Sequence, residues 1–315
     1  MAKTNIKKKG RAYSLIVYIQ SRYYRGSGFF VVFHGGRYLM FWVTLNILVN
    51  WFVIFVLCYA LNYESAPIST PIFWSIVIVA GLILFALSAT AEKIATFLTG
   101  LRKPTDQEYT RLAPLLNEVL QKASYTGPEI SLYVSNHEFV NACAIGSGTI
   151  GVTLGCINHC SEEEIKGLLA HELGHLALGH GKKTSIVNIM NTAGYAATWA
   201  LMIAVTIVSI IIGFLGGRQS VITLLSLIVL TVMAVSFKVL LWLFNQLIRL
   251  GLLAVGRKDE YSADYFAGKL GYADGLIAML GRGRDFHPKA LRFNVLLRTH
   301  PYSDDRIKRL KEAFE

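Results

Sequence analysis

Residues 170–175 read Ala170-His171-Glu172-Leu173-Gly174-His175. Residues four apart in a helix share a face, so His171 and His175 project together. Two imidazoles on one face can hold a zinc ion. Glu172, directly after the first, can reach water at the metal and act as general base. The plain alternative is two unrelated histidines on a buried helix. The chain has eight His in 315 residues, so the spacing is informative. Upstream, Ser161 with Glu164 three residues on reads as a capping box that opens this helix. The helix is expected to run through His175 towards Gly181.

The surrounding chain is not that of an ordinary soluble protein. Hydrophobic residues make up 53% and charged residues 16%, which suits several membrane spans plus a modest polar domain. The net charge of +11 could belong to a nucleic-acid binder. Its basic residues, however, gather at the N-terminus and beside apolar runs, where they set membrane orientation, so no nucleic-acid partner is expected. Cys58, Cys143, Cys156 and Cys160 form no disulfide framework. The Cys156–Cys160 pair lacks a distant partner pair for a second metal and reads as buried free thiols.

Residues 1–37 form a basic N-terminal extension, suited to an anionic membrane surface or to a disordered tail. Residues 38–91 hold two apolar runs, read as a transmembrane hairpin. Asn46 and Asn50, one turn apart in the first run, should face another helix rather than lipid. Residues 92–186 form the first part of a polar domain. Thr105 and Glu108 read as a capping box there, on a helix ended by Gly127-Pro128. Strands are expected over 130–134 and within 140–154. Two more apolar runs, 188–215 and 221–237, fill most of 187–245, and the second continues as an amphipathic helix towards Glu260. The region 246–315 completes the polar domain. Lys and Arg gather on one side of the runs, with none in the 62–71 loop and one, Arg218, in the third-to-fourth loop, which places both termini and the 171–175 helix in the cytoplasm. The fold class is thus a mainly α membrane protein, with about four transmembrane helices and a cytoplasmic α+β domain carrying a small sheet.

A catalytic zinc takes three protein ligands and leaves one position open. Glu260 and Asp264 lie one turn apart in Asp259-Glu260-Tyr261-Ser262-Ala263-Asp264. Glu260 can bind the metal while Asp264 accepts a hydrogen bond from a ligand imidazole, expected to be His171. His180 is a rival ligand, but five residues beyond His175 it points off the metal face.

These motifs together resemble the HtpX-like membrane metalloproteases, gluzincins related to the CAAX prenyl proteases. Asn141-Ala142-Cys143-Ala144-Ile145-Gly146 is similar to the family's Asn-Ala-Phe-Ala-x-Gly strand, with Cys143 where Phe is usual. His300-Pro301 followed by Arg306-Ile307 is similar to its C-terminal element. The resemblance implies a zincin-like domain with one Zn2+ per chain, held by His171, His175 and Glu260. It implies an edge strand, Asn141, Ala142, Cys143 and Ala144, that pairs with extended polypeptide substrates. His300 and Arg306 would stabilise the negative oxygen of the tetrahedral intermediate, or His300 would fill the open zinc position. The function implied is quality control of membrane proteins in the plasma (inner) membrane, with self-cleavage and a place in the stress response. A silent membrane scaffold with structural zinc is one alternative. An intramembrane protease using Asp274-Gly275 is another, opposed by Glu162, Glu163, Glu164 and Lys166 at the helix start. No feature of the sequence specifies an oligomeric state.

Overall fold

The computed structural model describes residues 30–62, 67–215, 221–286 and 303–315. His300, most of the basic extension and the 216–220 connection lie outside them. The first helices in chain order are α1 (Phe30–Ala60), α2 (Ser69–Ala86), α3 (Ala89–Leu98) and α4 (Asp106–Lys122). Strands β1 (Ser131–Ser135), β2 (Ala142–Ile145) and β3 (Thr149–Thr153) follow. Then come α5 (Leu154–His159), α6 (Glu162–Ala177), α7 (His180–Leu215), α8 (Val221–Lys269), α9 (Ala273–Phe286) and α10 (Ser303–Phe314).

The chain divides into two compact units. One is built from Met40–Phe85 and Ile186–Leu252. It carries the apolar lengths of α1, α2, α7 and α8, all long and apolar enough to cross a membrane. The shortest, Ser69–Ala86 with 18 residues, is about 27 Å long, close to the hydrocarbon thickness of a bilayer. Val53, Ile54, Val79, Met190, Ala197 and Leu241 form its buried cluster. Large apolar side chains such as Phe73, Trp74, Ile210 and Phe214 face outward. Water would penalise that surface and lipid does not. Asn46 and Asn50 are buried. Their side-chain N–H groups donate to Asn191 Oδ1 at 2.6 and 3.2 Å, and Asn50 also donates to the Asn46 carbonyl at 2.8 Å. The two amides therefore face α7, as their position in an apolar run requires.

The other described unit comprises Ala86–Ser185 and Leu253–Glu315. Its sheet has the order β1-β3-β2, with β1 parallel and β2 antiparallel to β3. Among the described residues β2 is therefore an edge, and all five residues of β3 are buried. Helix α6 lies at the centre of the core. Ile165, Leu168, Leu169, Leu173 and Leu176 pack with residues of α4, β3 and α9. A helix buried around most of its circumference needs apolar residues on several sides, and this sequence supplies them.

Both expected capping boxes form. Thr105 Oγ1 accepts from the Glu108 N–H, and Glu108 Oε2 accepts from the Thr105 N–H at 2.7 Å. Ser161 and Glu164 repeat the pattern on α6. Two helix ends differ from expectation. Helix α4 ends at Lys122 rather than at Gly127, because Ser124 turns the backbone at φ 46°. Helix α6 ends at Ala177 rather than near Gly181. Gly179, at φ 74°, reverses the chain and α7 begins at His180.

Candidate metal centre

Two helices build the centre, α6 with His171, Glu172 and His175, and α8 with Glu260 and Asp264. They touch at Gly174. A Cβ there would stand 3.1 Å from Ala263 Cα and 3.2 Å from Phe266 Cβ. A residue without a side chain thus lets α8 approach one turn from the histidines. His171 Nε2 and His175 Nε2 lie 3.1 Å apart. Glu260 places Oε2 3.5 Å from the first and Oε1 3.3 Å from the second. These three residues form a group able to hold a metal ion. Ligands on a tetrahedral zinc with bonds near 2.05 Å are about 3.3 Å apart, so the donor set fits that ion in kind, and the two histidine nitrogens fit it in spacing.

Around the donors lies a second set of contacts. Asp264 Oδ1 accepts from His171 Nδ1 at 2.8 Å, which leaves Nε2 turned towards the other donors. Arg306, buried on α10, donates from Nε to Asp264 Oδ2 at 2.8 Å and from a terminal nitrogen to Oδ1 at 2.6 Å. Its other terminal nitrogen lies 3.2 Å from Glu260 Oε2. Burial opposes the Arg306 charge, but the Asp264 and Glu260 carboxylates outweigh it and raise its pKa. Burial and Arg306 likewise disfavour a proton on His171. Its bonds to Asp264 and Glu260 prevail and bring its pKa up to about 9.

His175 has its own support, which sequence reasoning missed. His180 Nδ1 sits 2.9 Å from His175 Nδ1, and Asp259 Oδ1 lies 3.3 Å from His180 Nε2. His180 thus approaches the far nitrogen of a ligand imidazole. The signal for it was Gly179. A continuous helix points His180 away, whereas a reversal at Gly179 brings it back.

Glu172 is buried on α6. The Cys143 thiol is pushed up to about 11, mainly by burial and then by the Glu172 charge. Cys143 stands on β2, so the expected substrate strand and the expected base are neighbours. Thr153 N–H donates to the Asn141 carbonyl at 3.1 Å, and Cys143 pairs with Gly151. Bonding alternates along an antiparallel pair, so the main-chain groups of Asn141 and Cys143 turn to β3. Those of Ala142 and Ala144 turn to the outer edge. Asp274, the ligand of the intramembrane alternative, is exposed at the start of α9 and is not among the metal-capable residues.

A membrane protein with a two-histidine, one-glutamate centre is the class that fold and site define. Residues 106–314 match the model of peptidase family M48, and the chain belongs to that family. It is 30% identical over 158 residues to CAAX prenyl protease 1 homolog of Mus musculus, covering 49% of this chain and 31% of that protein. It is 29% identical over 213 residues to Protease HtpX homolog of Neisseria meningitidis, covering 62% of this chain and 71% of the relative. The chain thus spans about a third of the CAAX prenyl proteases it matches and most of the HtpX homolog. Among solved structures, S. mikatae Ste24p aligns with a TM-score of 0.49 at 18% identity, over 76% of this chain and 58% of that one.

Proposed function

We propose that this chain is a membrane zinc endopeptidase that hydrolyses peptide bonds of membrane or misfolded proteins at the cytoplasmic face, in membrane-protein quality control. One observation carries the reading: His171 Nε2 and His175 Nε2 lie 3.1 Å apart and each faces one of the two Glu260 carboxylate oxygens, at 3.5 and 3.3 Å, so that one ligand atom from each residue lies within 4.8 Å of the others, a donor set of the kind a tetrahedral zinc site uses. Among the described residues the metal-capable group has three members, which suits a catalytic rather than a closed structural site.

A zinc ion held there supplies Lewis-acid chemistry for a scissile carbonyl and a reacting water. The chain's own groups do the rest. Glu172 takes a proton from the attacking water and delivers it to the leaving amine. Asp264 holds the His171 ring, and His180 with Asp259 holds His175. Arg306, engaged by Asp264 and Glu260, keeps both carboxylates in place. The outward main-chain groups of Ala142 and Ala144 receive an extended substrate with little preference for side chains. Basic residues beside the apolar helices support a cytoplasmic site, and the quality-control role is what the resemblance of the motifs to the HtpX-like proteases implies.

The test is metal analysis with casein cleavage by the purified protein, with and without a chelator, beside Glu172→Gln. That variant should keep zinc and lose at least about a thousandfold in cleavage rate. Cleavage equal to wild type in Glu172→Gln would remove the base from the mechanism. Activity untouched by zinc removal would end the reading altogether.

A further inference from the structure

The turn between β2 and β3 closes on a carboxylate from a distant part of the chain. Glu92, in the first turn of α3, accepts four hydrogen bonds there. Oε2 takes the Ser147 N–H at 2.9 Å and the Ser147 hydroxyl at 3.2 Å. Oε1 takes the Gly148 N–H at 3.0 Å and the Thr149 hydroxyl at 2.7 Å. The turn is shaped for this visitor. Gly146 has φ 61°, and a Cβ on it would collide with the Glu92 carboxylate. The α3 N-terminus, capped by Ser88, favours negative charge at this position.

We infer that Glu92 is a positioning residue for substrate binding: its carboxylate clamps the 146–149 turn and so holds the outer edge of β2 straight for an incoming strand. An edge strand of four residues, with one partner among the described residues, has a short ladder, so its end would fray without such a clamp. An ordered edge costs less to pair with than one that must be ordered during binding. The side-chain bonds of Glu92 go to the 147–149 turn, so its effect falls on substrate affinity. The inference rests on the reading of β2 as the substrate strand.

Glu92→Gln isolates the charge pattern at nearly constant shape. Each carboxylate oxygen of Glu92 faces one main-chain N–H, and a main-chain N–H cannot become an acceptor. Whichever way the Gln amide turns, its NH2 confronts a donor, and one half of the clamp opens. The experiment compares wild type, Glu92→Gln and Ala144→Pro, which deletes an outward N–H of β2. Casein kinetics, zinc content and amide exchange over 146–149 are read on the full-length protein. Glu92→Gln should raise KM roughly tenfold, leave kcat within about twofold and zinc content intact, and speed exchange at Ser147 and Gly148. Ala144→Pro should also raise KM. An unchanged KM in Glu92→Gln beside a raised one in Ala144→Pro overturns the inference alone. An unchanged KM in Ala144→Pro removes the substrate-strand reading beneath it. If Glu92→Gln does not fold, Thr149→Val, which removes one donor to Oε1, reads the same contact with a KM rise of about threefold; a wild-type KM there also overturns the inference.

Discussion

Asp264 is the carboxylate on which two helices and the metal donors converge, and Asp264→Asn tests that convergence. Oδ1 accepts from His171 Nδ1 at 2.8 Å and from Arg306 at 2.6 Å. Oδ2 accepts from Arg306 Nε at 2.8 Å. An amide has one oxygen. Placed at Oδ1, it keeps His171 but sets its NH2 against Arg306 Nε; placed at Oδ2, it loses His171. In both cases a buried guanidinium loses its nearest charge. Breaking a buried ion pair costs about 3–5 kcal/mol. Glu260 still faces Arg306 at 3.2 Å, so the lower end applies, about 3 kcal/mol. Zinc affinity should fall about 10- to 100-fold through the loosened His171 ring. The assays are competition with a chromophoric chelator for zinc and thermal unfolding in detergent, where a drop of roughly 6–10 °C is expected. A variant that binds zinc within twofold of wild type and unfolds at the same temperature would refute the whole support scheme.

Two further outcomes follow from the same packing and ion pairs. Gly174→Val should force α8 off α6, since even a Cβ would stand 3.1 Å from Ala263 Cα. Zinc content should drop with stability, the latter by about 1–3 kcal/mol, and full zinc occupancy would contradict the contact. Glu108 accepts two bonds from Arg102, each at 2.7 Å, and this pairing, against some desolvation, brings its pKa down from 4.5 to about 2. A lowered carboxylate pKa adds stability above the unfolded value and loses it as pH falls through the folded one. Glu108→Gln should therefore be less stable than wild type at about pH 6, and the gap should narrow below 4.5 and close near 2. A gap that is constant with pH, in unfolding measured across that range, would refute the assignment.

Much of the fold was legible because its signals are local. Apolar runs of membrane length report themselves through composition. A capping box joins residues three apart, so Thr105 with Glu108 and Ser161 with Glu164 could be read directly. The edge position of β2 and the β1-β3-β2 order could not, since alternation shows that a strand exists and says nothing of its neighbours. Asp274 looked like a distant ligand on paper, yet it faces solvent.

The centre divides along the same line. Sequence by itself determined that His171 and His175 share a helical face with Glu172 beside them, because 3.6 residues per turn leaves no choice. Only the tertiary structure decided which remote groups reach them. Glu260 arrives through the helix contact at Gly174, Arg306 comes from a helix over forty residues further on, and His180 returns through the reversal at Gly179; away from the histidines, Glu92 meets a turn some fifty residues downstream. Such meetings depend on how helices pack against one another, and packing is a property of the whole core that no short stretch of chain encodes.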